Sequence, residues 1–73
     1  MSAASEAMRR LRLERGFDIA AVAAKTGLEA SRIEALEADV SIAWFREALL
    51  LASAYGMAID DFAQEVLAPE GSP

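Results

Sequence analysis

The sequence predicts an all-α protein, a compact bundle of five helices. Two observations indicate this class: apolar residues recur at helical spacing in one segment after another, and glycines at 16, 27 and 56 separate these segments. The 73 residues allow one small domain, and a hydrophobic fraction of 55% is enough for a packed core. We expect a flexible N-terminus over 1–5, a domain over 6–67 and a disordered tail over 68–73.

The first helix is predicted from Glu6 to Arg15, with Met8 and Leu11 on its apolar side. Gly16 is expected to end it in the left-handed conformation. Asp18 then lies where an N-cap belongs, because its carboxylate can accept from an unpaired amide of the first turn.

Gly27 separates the second helix from a third, which is predicted over about 29–38. The third helix has Leu28, Ile33 and Leu36 as its inward side. The two short helices and the glycine between them have the build that many proteins use to place a helix in the major groove of DNA.

The fourth helix is predicted to begin after a Ser41 cap and to end at Tyr55. It is apolar almost all round, which is typical of a helix that is central or shared with a partner. The fifth helix is predicted from about Ile59 to Leu67, because apolar residues recur there at i, i+3, i+4, i+7 and i+8.

Composition excludes several kinds of chemistry. The chain has no cysteine and no histidine, so it lacks disulfides, thiol nucleophiles, imidazole bases and nearly all zinc ligands. The acids of the fifth helix fall on its polar side with no cleft implied, and we expect no enzyme, cofactor, metal or small-molecule substrate. The longest aliphatic run is far too short to cross a bilayer, so we expect a soluble, cytoplasmic protein without a membrane partner.

Charge is unevenly distributed along the chain. Residues 1–32 have six basic and four acidic side chains, a net charge of +2, whereas residues 33–73 have one basic and eight acidic side chains, a net charge of −7. A polyanion would therefore meet the N-terminal half. The alternative is an acidic surface that serves only solubility.

The stretch LRLERGFDIAAVAAKTGLEASRIEALE resembles the Cro and phage-repressor (Xre-type) helix-turn-helix family, and GMAIDDF at 56–62 is similar to that family's GVSLDEL. The resemblance covers about residues 7–67. It implies a phage-repressor bundle whose second and third helices form the helix-turn-helix. It also implies an ion pair between Arg12 and Glu37, and a homodimeric regulator that binds double-stranded DNA.

The resemblance assigns base contacts to the start of the third helix, where this chain has Ala30, Ser31 and Ala35. These side chains lack the forked donors and acceptors of direct readout, and Glu34, one turn on, could accept only from cytosine. Basic residues on the first three helices could each neutralise a phosphate; these are Arg9, Arg10, Lys25 and Arg32. The alternative for these bases is a solvated face.

The chain is also similar to the cytoplasmic helix-turn-helix domain of the rod-shape protein RodZ, which engages a filament protein rather than DNA. The similar runs are AAKTGL and LEALE. This resemblance implies that such a scaffold can serve protein recognition. An apolar dimer or partner surface is the alternative to plain core for five residues, which are Trp44, Leu50, Phe62, Val66 and Leu67.

Two functions therefore stay open at this point. The first is a small DNA-binding transcriptional regulator, dimeric, with a poorly equipped recognition helix. The second is a helix-turn-helix that no longer binds DNA and engages a protein, either as an antirepressor or on a filament. In the second case the acidic third helix or the apolar C-terminal helices would form the contact.

Overall fold

The computed structural model describes residues 3–39 and 43–67, and all regular structure within them is α-helical. The five helices are α1 (Ala3–Glu14), α2 (Ile19–Thr26), α3 (Ala30–Glu37), α4 (Phe45–Ala54) and α5 (Ile59–Leu67). The α1 helix packs on α3 and α5, α2 packs on α3 and α4, and α4 packs on α5. These contacts make one compact unit around one core.

The core takes residues from α1 to α5, as the hydrophobic spacing predicts. Its buried members are Ala7, Met8, Leu11, Val22, Ile33, Leu36, Leu51, Ala52, Tyr55, Phe62 and Val66. The ring of Tyr55 lies 6.4 Å from that of Phe17 and 6.4 Å from that of Phe62, measured between ring centroids. The aromatic residues therefore fill the space where the ends of α1, α4 and α5 meet.

The first helix begins earlier than predicted. It starts at Ala3, and the side chain of Ser5 is only 1% exposed, so residues 3–5 belong to the packed helix and not to a flexible N-terminus. The small side chains at positions 3–5 allow this close packing. Residues 1–2 and the predicted tail over 68–73 lie outside the described residues.

The boundaries of α2 follow from its two capping residues. The Oδ1 atom of Asp18 accepts from the Ala21 N–H at 2.8 Å, which satisfies one amide of the first turn. At the other end Gly27 has φ 77°, and its N–H donates to the Ala23 carbonyl at 2.9 Å. A left-handed residue here turns the chain within three residues into α3.

The fourth helix begins at Phe45, later than the Ser41 cap predicts, and Ser41 itself lies outside the described residues. Its start is stabilised by Glu47, whose Oε1 accepts from the Trp44 N–H at 2.8 Å. A carboxylate at the third helical position that reaches back to the N-cap amide is half of a capping box. The fifth helix has the bounds that its apolar spacing predicts.

Arg15 links the end of α1 to the end of α4. Its Nε donates to the Tyr55 carbonyl at 2.8 Å, and its guanidinium lies 5.6 Å from the centroid of the Tyr55 ring. Tyr55 is the C-cap of α4 and is followed by Gly56 with φ 69°, so its carbonyl lies at the helix end and has no partner within the helix.

None of the helices in the described ranges is long and apolar enough to cross a membrane.

Candidate functional site

The outer face of α3 presents little that can read a base. Ala30, Ser31 and Glu34 are exposed and Ala35 is half-buried, so the predicted contact positions do lie at or near the surface. Their chemistry is two methyl groups, one hydroxyl and one carboxylate. Glu29, at the N-cap of α3, is also exposed and makes no capping hydrogen bond with its side chain. The outer face of α3 therefore presents small, mostly apolar side chains and two carboxylates.

Arg32 lies on the flank of α3 next to α4, where it binds Glu47. Its Nε donates to Oε2 of Glu47 at 2.5 Å, and its Nη2 donates to Oε1 at 2.8 Å. This parallel, two-bond geometry is the strong arrangement for an arginine and a carboxylate. The guanidinium that the sequence offers for a phosphate is thus already bound to a carboxylate of the same chain.

Glu47 joins α3 to the N-terminus of α4 through its carboxylate. One oxygen accepts from both the Arg32 guanidinium and the Trp44 backbone N–H. The hydrogen bond from Arg32, and then the one from the Trp44 amide, lower the pKa of Glu47 although burial opposes them. The hydrogen bond between Arg32 and Glu47 also raises the pKa of Arg32. Both groups are therefore charged at neutral pH.

The other three candidate phosphate-binding residues also lie against groups of the same chain. Arg10 donates to Glu65 of α5 at 3.1 Å, and both side chains are about half exposed. The Nζ atom of Lys25 lies 4.9 Å from the centroid of the Phe17 ring. Arg9 lines a shallow concavity of about 340 Å³, and the same concavity is lined by Glu34 and Glu37. The ion pair with Glu65 locally reduces the positive field of Arg10.

Arg12 and Glu37 form the ion pair that the resemblance implies. The Nε atom of Arg12 donates to Oε2 of Glu37 at 2.8 Å, and Nη2 donates to Oε1 at 2.9 Å. The Nη1 atom of Arg12 also donates to the Phe17 carbonyl at 2.9 Å. The bond to Glu37 raises the pKa of Arg12. This mostly buried pair joins α1 to α3 and has a structural role.

The predicted partner surface is divided by the fold. Phe62 and Val66 are 2% and 7% exposed, so they belong to the core and not to a surface, because the apolar side of α5 packs on α1 and α4. Leu50 is half-buried, and the side chain of Leu67 lies outside the described part of the structure. Trp44, in contrast, is 73% exposed.

Trp44 belongs to an exposed apolar patch whose other members are not in the predicted set. Phe45 is 72% exposed and Leu49 is 42% exposed. We call Trp44, Phe45 and Leu49 the aromatic patch. Positions 45 and 49 are one helical turn apart, so Phe45 and Leu49 lie on the same side of α4, and Trp44 immediately precedes this helix. The spacing is visible in the sequence, but almost every position of α4 is apolar, so spacing alone does not separate the exposed strip from the buried one.

Within the described ranges, no group of three or more acidic residues is placed to bind a metal ion. No family model matches the chain, and no curated protein matches it. The chemistry of the α3 and α4 surface is therefore the basis for a functional assignment.

Proposed function

We propose that this chain is a helix-turn-helix domain that recognises a protein and does not read DNA. The α2–α3 pair, joined through Gly27, is the helix-turn-helix, and the ion pair between Arg12 and Glu37 supports this assignment because the resemblance implies it at these positions. The surface that would enter a groove has been adapted to another use.

The observation that carries the proposal is the ion pair between Arg32 and Glu47. A phosphate contact by Arg32 would compete with two charge-assisted hydrogen bonds and bring the carboxylate of Glu47 close to the nucleic acid. Affinity for duplex DNA grows with the number of phosphates that basic side chains neutralise. The ion pair of Arg10 with Glu65 reduces this number further, and Glu29 and Glu34 add exposed negative charge on α3.

The aromatic patch is the positive argument for protein recognition. Exposed aromatic residues are enriched where proteins meet, and three large apolar side chains exposed near the start of one helix cost solvation free energy unless a partner covers them. Trp44 is joined to Glu47 through its backbone, and Glu47 is bound by Arg32 of α3. The ion pair thus stabilises the start of α4, where the patch is presented.

A DNA-binding regulator is the second candidate, because exposed Arg9 and Lys25 remain on the positive N-terminal half of the chain. A titration of labelled duplex from the gene's own upstream region separates the two, at roughly 50 mM and then roughly 200 mM salt. We expect no binding at either salt concentration.

Binding that falls steeply with salt, and that Arg32→Ala weakens, would overturn the proposal. Glu47→Gln is the matched variant, since it releases Arg32 from a carboxylate without removing the guanidinium. If the ion pair is what prevents phosphate contact, this variant should gain salt-dependent affinity that the parent protein lacks.

A further inference from the structure

Glu47 lies in the first turn of α4 and is almost out of contact with water. The residue is 8% exposed, and Arg32 forms its one ion pair within the described ranges. The Oε1 atom accepts from both the Trp44 N–H and Nη2 of Arg32, each at 2.8 Å. The charge of the carboxylate that caps α4 is therefore balanced by a side chain of a different helix.

Among the described residues, Glu47 is the side chain that caps the start of α4. The indole of the N-cap residue Trp44 can donate a hydrogen bond but cannot accept one from an amide of the first turn. The Trp44 carbonyl begins the helix by accepting from the Ala48 N–H at 2.9 Å, and Phe45 is the first helical residue. Two of the three members of the aromatic patch thus lie in the turn that the Glu47 carboxylate holds.

The Glu47 carboxylate depends on Arg32 to stay in this position. A buried carboxylate that loses its counter-charge is costly in free energy, and the most direct relief is rotation of the side chain into water. Such a rotation breaks the hydrogen bond from the Trp44 N–H, because the oxygen that accepts from Arg32 also accepts from this amide. The first turn of α4 then loses its cap, and the order of this turn falls.

We infer that the pair of Arg32 and Glu47 is a latch between α3 and α4. While Arg32 balances the charge of Glu47 the first turn of α4 is ordered, and when Arg32 is drawn away this turn opens. The latch rests on the proposed function, because it controls the surface that the proposed function assigns to partner binding. Since coupling between two sites is reciprocal, a contact that orders the start of α4 also favours the ion pair.

Hydrogen exchange of single amides, followed by NMR on the full chain, tests the latch. The Ala48 N–H reports on the first turn of α4. The Tyr55 N–H, which donates to the Leu51 carbonyl at 3.0 Å, reports on the end of the same helix. In Arg32→Ala we expect the exchange rate of the Ala48 amide to rise by at least about tenfold more than that of the Tyr55 amide.

The double variant of Arg32→Ala with Glu47→Gln separates charge balance from a simple loss of contacts. Glutamine retains an oxygen that can accept from the Trp44 N–H, but it has no charge and needs no counter-charge to stay in place. The Ala48 amide should therefore exchange more slowly in the double variant than in Arg32→Ala alone. A purely structural role of Arg32 predicts the opposite order, because the second substitution removes a further native group.

Arg10→Ala is the matched control, because it removes an arginine from an exposed ion pair on α1. It should leave the Ala48 amide at the exchange rate of the parent protein. Arg32→Gln is a second uncharged variant for which we expect the same result as for Arg32→Ala, and it takes the place of Arg32→Ala if circular dichroism shows that Arg32→Ala is unfolded.

Either of two results would rule out the latch. In the first, exchange in Arg32→Ala rises no more at Ala48 than at Tyr55, so the start of α4 does not depend specifically on Arg32. In the second, the double variant exchanges at least as fast at Ala48 as Arg32→Ala does, so charge balance is not what holds the carboxylate. Neither measurement involves nucleic acid, and the proposed function is decided separately by the duplex titration.

Discussion

Arg32 and Glu47, 15 positions apart in the chain, join the flank of α3 to the first turn of α4 through two hydrogen bonds. The pair connects a residue expected to bind phosphate with the residue that starts the next helix. The Glu47 carboxylate thus has two effects: it neutralises the charge of Arg32 on α3, and it stabilises the start of α4, where the aromatic patch lies.

The ion pair predicts a specific dependence of stability on pH. The folded-state pKa of Glu47 lies below the ordinary value of 4.5 that the unfolded chain retains, chiefly because Arg32 donates to it. The pair therefore stabilises the fold at pH values above 4.5, and this contribution is lost as the pH falls through the lowered pKa. Urea unfolding at pH 7 and at about pH 3 measures the loss in free energy.

Glu47→Gln should show a smaller loss of stability between these two pH values, since the group that titrates is gone. Glu65→Gln is the matched control, because it removes a carboxylate from an exposed ion pair. Its loss should be close to that of the parent protein. Equal losses in the parent protein and in Glu47→Gln would contradict the role given to the pair.

Arg12→Ala is expected to destabilise the protein by about 3 kcal/mol, because it leaves the mostly buried carboxylate of Glu37 without its partner. It also removes the donor to the Phe17 carbonyl. Arg10→Ala breaks an exposed pair and should cost less than about 1 kcal/mol. Thermal unfolding followed by circular dichroism compares the two variants. A cost below about 1 kcal/mol for Arg12→Ala would show that α1 and α3 do not depend on the pair.

The helix boundaries show which signals in the local sequence are sufficient to predict where a helix begins or ends. Asp18 caps the start of α2 and Gly27 ends it, as predicted, because both signals depend only on residues a few positions away in the sequence. The predicted start of α4 is too early. The helix starts after Trp44, whose N–H is bound by Glu47 three positions later, and no Ser, Thr, Asp or Asn among the described residues caps it. The start of α1 was predicted too late, because Ser5 carries no helical signal and is buried only by tertiary contact.

The candidate site was less predictable than the fold, because its chemistry depends on residues far apart in the chain. Arg32 and Glu47 are each visible as charged residues, but their pairing arises only when α3 and α4 are in place. In α5 polar residues separate the buried apolar residues and so mark the buried side in the sequence, whereas α4 has few polar residues. The separation of Leu51 and Ala52, which are buried, from Phe45 and Leu49, which are exposed, therefore needs the packing of α2 and α5 on α4.

Asp39 follows α3 with φ 63°, a left-handed conformation that costs a side chain with a Cβ free energy. Asp39→Ala should destabilise the protein by about 1 kcal/mol, because alanine tolerates this region less well than aspartate. Asp39→Gly should not show this cost, because glycine adopts positive φ readily. The two melting temperatures provide the test. An equal loss in both variants would assign the cost to the contacts of the carboxylate and not to the backbone.

Tyr55 predicts an alkaline limit to stability. Burial raises the pKa of its phenol to about 12, above the ordinary value of 10.0. Stability from this residue is complete below pH 10.0 and is lost as the pH rises from there through the folded-state pKa, because the unfolded chain releases the proton first. The phenolate absorbance of the single tyrosine should titrate later in native than in denatured protein. Tyr55→Phe should remove this loss of stability, and coincident native and denatured titrations would contradict the burial argument.

The position of Trp44 also decides what spectroscopy can report on this molecule. It is the single tryptophan of the chain, and because it is 73% exposed in the native fold its indole is already in contact with water. Unfolding therefore changes its emission wavelength little, and a denaturation followed by tryptophan fluorescence would be almost featureless while the helices melt. The same indole should shift to shorter wavelength when another molecule covers the start of α4. In this protein intrinsic fluorescence therefore monitors association and is nearly blind to folding.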